Sequence, residues 1–452
     1  MYKKSDFNIV VETMDTGSKL VFNTITCVLG IMDPETQSLY NNIEGLELDL
    51  VNNSKSKEAI ETMYKMGFII QKNINELEVL KTRDAISRFT TATNTMGLTI
   101  ATSLDCNMAC TYCYEGKSAI NKIAMDSSVQ NDVVNFVGKC FENSNIKHFS
   151  VCWYGGEPLL NKEAIYELSK SFLGMCAEKE VHYSGSIVTN GVLLDYETAK
   201  RLKTECDVTA AQVTLDGMPE HHNAKRIFLN GAGSFETIVN NIEASKEFLR
   251  IAVRVNVDKE NLLSGSELTE YFTTKGWGDN PMVYISPVRD YGNCNYNTSC
   301  ILSDMDFAKF QTKAIEERYA TDKSCLTQVY PKRIDNYCGA QRINNFVIDP
   351  EGYLYTCWNN VGIIEKSFGD VRSGLVLNEN YTNWLLSEPA PKCYECPFLP
   401  ICQGGCPHDY QRTGVPTCLN WINDYKSRLK LAYRDHQSKK NNAAQADNSY
   451  AH

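Results

Sequence analysis

The 452-residue chain has no apolar run near the roughly 18 residues that a membrane helix needs. It has no surplus of positive charge either. The net charge is −10, which argues against a nucleic-acid surface, because phosphate binding needs a basic patch. The opening residues MYKKSDFNIVVETMD hold no long apolar stretch and no small-residue cleavage site, so no signal peptide is expected. A disordered or fibrous chain is excluded as well: 43% apolar and 22% charged residues is ordinary globular usage. The length allows roughly three domains.

What the chain does have is cysteine, 18 in all. A disulfide scaffold belongs to short secreted chains, so the expectation is reduced thiols in a cytoplasm, some of them bound to metal.

Three patterns divide the sequence. Residues 1–92 read as a small winged helix. Phe7–Thr13 and Leu20–Phe22 are strand-like around an Asp15-Thr16-Gly17 turn. Asp33-Pro34 can cap a short helix to Tyr40, Glu58–Met66 has helical spacing, and Phe68–Ile70 would return as a strand. Leu77–Phe89 reads as a linker helix. Over 93–323, strands alternate with amphipathic helices. The strands lie near Leu98–Ser103, His148–Trp153, Ser184–Val188, Val208–Leu215, Ile251–Val257 and Val283–Ser286. This repetition predicts an α/β fold with a parallel sheet. Six units are too few for an eight-stranded barrel, so a partial (β/α)6 barrel is expected, with function at the C-terminal strand ends. Residues 324–436 are rich in Cys, Gly and Pro and should lean on metal for stability. The polar stretch 437–452 should be a disordered tail.

The first barrel strand runs into DCNMACTYCYEGK, which carries Cys106, Cys110 and Cys113 in C-x3-C-x2-C spacing. Three thiolates on one loop can hold three irons of a [4Fe–4S] cube and leave the fourth open. A structural zinc with a fourth ligand elsewhere is the plainer alternative. The second strand ends in Trp153-Tyr154-Gly155-Gly156-Glu157-Pro158. Its glycines let backbone come close, and Glu157 can accept from an ammonium. Thr189-Asn190-Gly191, Thr214-Leu215-Asp216-Gly217, and Arg254 with Asn256 mark the next strand ends. Taken alone, each could be an ordinary strand-end cap.

The cysteine loop and the GGEP segment together resemble the radical S-adenosylmethionine superfamily. That resemblance implies one [4Fe–4S] cluster on Cys106, Cys110 and Cys113, and S-adenosylmethionine (SAM) as cofactor. It places Tyr112 near the adenine, and Gly155, Gly156 and Glu157 at the amino group of the methionine moiety. Thr189, Asn190, Thr214 and Arg254 would contact ribose and carboxylate. Asp216 could instead face the substrate as an acid or base.

A second cysteine pattern follows: Cys338, then Gly352 and Cys357, then Cys393-x2-Cys396-x5-Cys402-x3-Cys406 and Cys418. A zinc ribbon could use such pairs. The spacing resembles the SPASM domain, which implies two auxiliary [4Fe–4S] clusters and three in total. By that resemblance Cys393, Cys396, Cys402 and Cys418 hold one cluster, and Cys338, Cys357 and Cys406 hold the other. Cys325, Cys294 or Cys300 could supply its fourth ligand, or that iron is open. Cys27, Cys140, Cys152, Cys176 and Cys206 fall in strands or helices and read as small core residues.

The front module resembles the leader-peptide recognition element of peptide maturases, which adds a peptide as a strand to a sheet edge. A structural cap is the alternative. The resemblance as a whole implies cleavage of SAM to a 5′-deoxyadenosyl radical that takes a hydrogen from an unactivated carbon. The auxiliary clusters point to a net two-electron oxidation. The expected activity is a maturase that forms a thioether crosslink in a ribosomally made precursor peptide. Carbon–carbon crosslinking is an alternative. So is an anaerobic sulfatase maturase, which makes formylglycine from Cys or Ser, and so is a non-catalytic iron–sulfur peptide-binding protein. A flavodoxin or ferredoxin would supply electrons; no nucleic acid or membrane partner is expected.

Overall fold

A computed structural model describes residues 1–12, 17–44, 46, 53–90, 94–113, 123–289, 296–319 and 330–449. The chain forms two compact units. One joins Met1–Ser87, Ser303–Cys338 and Glu388–His452; the other joins Arg88–Leu302 and Gly339–Ser387.

In the first unit, β1 (Tyr2–Lys4), β2 (Asn8–Glu12), β3 (Lys19–Asn23) and β4 (Val28–Met32) precede α1 (Pro34–Asn41) and α2 (Ser54–Lys65). β5 (Ile69–Gln71) and α3 (Glu76–Ala85) follow. Strands β2, β3 and β4 make an antiparallel sheet, and β5 pairs with β1. Asp33 caps α1 as expected, accepting from the Thr36 amide at 2.7 Å. Strands β1 and β4 were not legible in the sequence, and residues 15 and 16 of the expected turn lie outside the described residues. Both faces of the sheet are covered. Val21 and Met32 pack with Ile60, Met63 and Phe68. Ile9, Val11, Leu20 and Phe22 pack with Ile401, Trp421 and Leu429 from the C-terminal part of the same unit.

The second unit is the barrel. It contains β6 (Thr95–Ser103), α4 (Ser127–Asn143), β7 (His148–Gly155), α5 (Lys162–Lys179), β8 (His182–Thr189), α6 (Tyr196–Thr204) and β9 (Val208–Thr214). Then come α7 (Pro219–Lys225), α8 (Phe235–Ser245), β10 (Arg250–Val257), α9 (Ser264–Thr274) and β11 (Met282–Pro287). All six strands lie where the sequence placed them and pair in parallel, in order β11-β10-β9-β8-β7-β6. The helices follow apolar spacing: α4 buries Val129, Val133, Phe136, Val137 and Phe141. Phe149 of β7 packs its ring against Phe141, Phe172 and Tyr183.

The cysteine-rich region supplies more regular structure than its composition suggests. After α10 (Asp304–Tyr319) of the first unit, β12 (Asn345–Ile348) joins β6 in parallel and β13 (Leu354–Tyr355) pairs with β12, making an eight-stranded sheet. The strands β14 (Gly369–Asp370) and β15 (Gly374–Leu375) and helix α11 (Glu379–Leu385) follow. Short helices α12 (Leu399–Cys402), α13 (Pro407–Thr413) and α14 (Asn420–Asn423) lie in the first unit. The boundary expected at 92/93 falls at 87/88, and residues 324–436 are shared between the units. A segment with little apolar core completes itself on neighbouring cores.

The polar tail differs from expectation. Helix α15 runs over Tyr425–Ser449, so its backbone is helical beyond residue 437. A polar composition removes a packing face but not the backbone hydrogen bonds, and Lys, Ala and Gln favour the helix.

Candidate active site

The site forms where β6 and β7 end. The loop after Ser103 is pinned residue by residue. Ser103 Oγ accepts from the Asp105 amide at 3.0 Å, and Asp105 accepts from the Cys106 amide at 2.9 Å. Ala109 N–H donates to the Ile227 carbonyl at 2.8 Å and Thr111 N–H to the Lys225 carbonyl at 3.0 Å. The GGEP segment interlocks with this loop: Gly156 N–H donates to Ser103 at 3.0 Å and Glu157 N–H to Asp105 at 2.9 Å. The glycines are required. Gly155 has φ +129°, and a Cβ there would meet the Ser103 carbonyl oxygen at 2.1 Å; one on Gly156 would meet that of Asp105 at 2.5 Å.

Glu157 is wholly buried. Its carboxylate accepts from Thr189 Oγ1 at 2.7 Å, the Asn190 amide at 2.7 Å and the Leu159 amide at 3.1 Å. It therefore ties β7 to the end of β8, and three of a carboxylate's roughly four acceptor sites are used. Burial pushes its pKa up, against the pull of these donors. Asn190 reaches back to the loop, donating to Asn107 Oδ1 at 2.7 Å and lying 3.7 Å from Cys106 Sγ.

A second group surrounds Tyr112. Its hydroxyl donates to Asp216, and accepts from Arg226 and from Asn256 Nδ2, each at 3.1 Å. Asp216 also accepts from the Asn256 amide at 3.0 Å and is fully buried. Both its oxygens are thus engaged, and burial raises its pKa. Behind it, the Asp216 amide donates to His222 Nδ1 at 3.1 Å. His222 Nε2 lies 2.9 Å from Ser234 Oγ, which in turn donates to the Arg226 carbonyl. Burial and the Arg226 charge depress the His222 pKa to about 3. Arg254 turns along its own strand, donating to Asn256 Oδ1 and Ser286 Oγ at 2.9 Å each. Thr214 ends β9 and is buried.

The donor set fits an iron–sulfur cluster. Burial lifts the Cys106 thiol to about 12, and the charges of Glu157, Cys110 and Cys113 add to this. Burial likewise raises Cys110. Cys106, Cys110 and Cys113 are each half-buried, and a place where burial opposes thiol ionisation suits bare thiolates poorly and a bridging cationic cluster well. Among the described residues, no three His, Cys, Asp or Glu side chains converge at single-ion range. A cubane asks for less convergence, because each thiolate meets a different iron. Beside Cys110 sits Arg226, whose Nε is buried with no hydrogen-bond partner among the described residues. That donor is left for a bound group.

The C-terminal thiols also gather. Burial raises Cys393, with the charges of Cys396 and Cys418 adding to it, and those of Cys418 and Cys393 add to the burial that raises Cys402. Gly405, with φ +79°, makes this approach possible: a Cβ there would meet the Thr417 carbonyl oxygen at 1.9 Å. Cys406 feels the charge of Cys338. Cys357 lies in the barrel unit. Cys300 Sγ lies 3.6 Å from Glu260 Oε1; Cys294 and Cys325 lie outside the described residues. Cys176 and Cys206 are buried, whereas Cys27, Cys140 and Cys152 are half-buried.

Sequence reasoning missed Arg226, Lys225, Asp258 and Tyr296. The pair Lys225-Arg226 stands ten residues after Leu215 with no metal or phosphate spacing to mark it. Its burial comes from α7, an element the strand–helix pattern did not reveal.

Residues 100–262 match the Radical SAM superfamily. These residues form a radical SAM domain, and the chain is an enzyme with an α/β fold built on a mostly parallel eight-stranded sheet. A cysteine-type anaerobic sulfatase-maturating enzyme of Clostridium novyi (strain NT) is 24% identical over 71% of this chain and 89% of its own length. The radical SAM cyclopropyl synthase TigE of Paramaledivibacter caminithermalis is 23% identical over 80% of this chain and 78% of its own. The solved structure of native anSMEcpe with bound AdoMet and Kp18Cys peptide shares the fold, with a TM-score of 0.60 at 20% identity over 77% of this chain and 99% of that one.

Proposed function

We propose that this enzyme is a maturase of a ribosomally made precursor peptide and installs a thioether crosslink between a Cys sulfur and an unactivated carbon. The observation that carries the radical chemistry is the interlock of the cysteine loop with Gly155-Gly156-Glu157. When bound, a [4Fe–4S] cluster with SAM would supply a 5′-deoxyadenosyl radical. Cys106, Cys110 and Cys113 would hold the cluster. Gly155, Gly156, Glu157, Thr189, Asn190, Thr214 and Arg254 would line the cofactor, beside Tyr112. The chain's own part is to fix these groups before binding and keep water out, so that little reorganisation is left to the reaction.

Joining a thiol to a C–H carbon removes two electrons, and the cofactor radical accepts one with its hydrogen. The second needs an acceptor. We assign that role to SPASM clusters, one on Cys393, Cys396, Cys402 and Cys418, whose thiols lie in one another's field. Cys338, Cys357 and Cys406 would hold the other, on the strength of their spacing. A leader peptide would add to the antiparallel sheet of the front module, and a flavodoxin or ferredoxin of the cytoplasm would donate electrons.

Carbon–carbon bond formation on a peptide is the nearest alternative, and the cyclopropyl synthase among the relatives favours keeping it. A sulfatase maturase is the second alternative, favoured by the Clostridium relative. The test is iron and sulfide content after anaerobic reconstitution, with SAM cleavage followed in parallel. About twelve irons, falling to about eight with cleavage lost in a Cys106→Ala/Cys110→Ala/Cys113→Ala variant, is the expected result. About four irons plus zinc would remove the proposed electron acceptor. Mass spectrometry of peptide products then separates a loss of two hydrogens from a formylglycine.

A further inference from the structure

Two buried charge groups of the same construction stand side by side at the ends of β9 and β10. In the inner one, Arg226 and Asp216 meet on the Tyr112 hydroxyl. In the outer one, Lys225 Nζ lies 2.5 Å from Asp258 Oδ2, and the Tyr296 hydroxyl donates to that same oxygen. Lys225 and Arg226 are consecutive, and both carboxylates are fully buried. Asn261 joins the two groups: its side chain accepts from the Asp258 amide at 2.8 Å and donates to the Asp216 carbonyl at 2.7 Å. The groups end in one aromatic contact, with the Tyr296 and Tyr112 rings edge to face at 6.1 Å.

Stability alone is a poor account of this arrangement. A buried ion pair is often replaceable by apolar side chains at no loss, because desolvation consumes the Coulomb gain. What the arrangement does secure is one ring. Tyr112 is fixed at its hydroxyl by three partners and at its edge by Tyr296, and it lies in the cysteine loop between Cys110 and Cys113. The Lys225 carbonyl also accepts from the Thr111 amide, so the outer group holds the loop backbone next to that ring.

We infer that Asp216 and Tyr296 are positioning residues for cofactor binding, acting through Tyr112: they preset the ring against which SAM binds. This reassigns Asp216 from the acid–base role its sequence position allows. Both its oxygens already accept hydrogen bonds, and no face of it is exposed. The inference rests on the cysteine loop being the cofactor site. An edge-to-face ring contact is a modest interaction, and a hydrogen bond to a charged group a somewhat stronger one. Loss of either holder should therefore weaken SAM binding several-fold without touching the chemical step.

The test uses reconstituted full-length enzyme, with SAM and dithionite and no peptide. KM and kcat for 5′-deoxyadenosine formation are measured, with iron content and the electron paramagnetic resonance signal of the reduced cluster with SAM. Asp216→Asn, Tyr296→Leu and the milder Tyr296→Phe are each made alone and on a Tyr112→Leu background. The expected singles raise KM about five- to tenfold, leave kcat within about twofold, and shift the SAM-dependent signal. On the Tyr112→Leu background neither substitution should raise KM further. Costs that multiply on that background would overturn the inference, as would wild-type KM in Tyr296→Leu and Tyr296→Phe. A fall in kcat at constant KM in Asp216→Asn would also overturn the inference, because a residue that presets the ring moves KM instead. Failure of the wild type to bind SAM, or binding that survives loss of the three loop cysteines, would instead overturn the site itself.

Discussion

At the residue scale, buried polar groups decide what this site tolerates. Glu157 accepts three hydrogen bonds while fully buried. Glu157→Gln keeps the shape but turns one acceptor into a donor that faces an N–H or O–H. A mispaired buried donor costs about 1–3 kcal/mol. The urea midpoint of the reconstituted protein should fall accordingly, and KM for SAM should rise. An unchanged midpoint would mean that the end of β8 is held by other contacts. His222 makes a pH prediction. Its pKa is about 3 in the folded state, pushed down by burial, against about 6.5 unfolded. The folded state therefore binds fewer protons between these values. Stability is fully present above about pH 6.5 and is lost as pH falls toward 3. Between pH 7.5 and 5.5 this one group should cost the wild type about 1–1.5 kcal/mol. His222→Gln, measured by urea titration at both values, should show a smaller loss by that amount.

At the scale of elements, what was legible in the sequence follows its periodicity. The six parallel strands and their helices alternate between a two-residue and a 3.6-residue apolar period, so their places could be read directly. Cys106, Cys110, Cys113 and the GGEP segment were legible because they carry fixed spacings at strand ends. Strands β12 and β13 were not, since four and two residues are too few for a period to show. Arg226, Lys225 and Tyr296 were hidden for another reason: their partners lie on other elements, and sequence distance says nothing of such pairings. The helix beyond residue 437 was hidden because a polar composition shows no apolar period, while the backbone hydrogen bonds of a helix need none. The join between β6 and β7 depends on close backbone approach rather than on any side chain. Gly155→Ala places a Cβ 2.1 Å from the Ser103 carbonyl oxygen and strains a positive φ. The expected outcome is a folded enzyme with its C-terminal clusters, about four irons short and unable to cleave SAM. Full iron with normal cleavage would show that the two segments can separate without loss.

At the scale of the whole molecule, the front module and the C-terminal cysteines belong to one folding unit. The sheet face of Ile9, Val11, Leu20 and Phe22 shares a core with Ile401, Trp421 and Leu429, and Phe22 lies against the Trp421 ring with centroids 5.6 Å apart. Ile401 sits beside Cys402, and Trp421 three residues after Cys418. Phe7 and Leu80 pack with Leu399, against which Cys393 and Tyr394 also lean. A leader-binding module that merely hung from the enzyme would need none of these contacts. Removing residues 1–87 should then do more than abolish the leader binding proposed for them. It would uncover several large apolar side chains, each worth about 1.5–3 kcal/mol of burial, next to the loops that carry Cys393, Cys396, Cys402 and Cys418. The truncated protein should be poorly soluble or lose the C-terminal iron, about four to eight atoms of twelve. The milder Trp421→Ala, which leaves the module in place, should destabilise the first unit by about 3–5 kcal/mol and lower iron content in the same direction. Iron analysis of the two proteins side by side, with the loop-cysteine cluster as internal reference, decides the matter. A soluble truncation with full iron would make the front module a detachable accessory. Loss of the C-terminal iron in both would mean that the proposed leader site and the proposed electron acceptor are held by a single core.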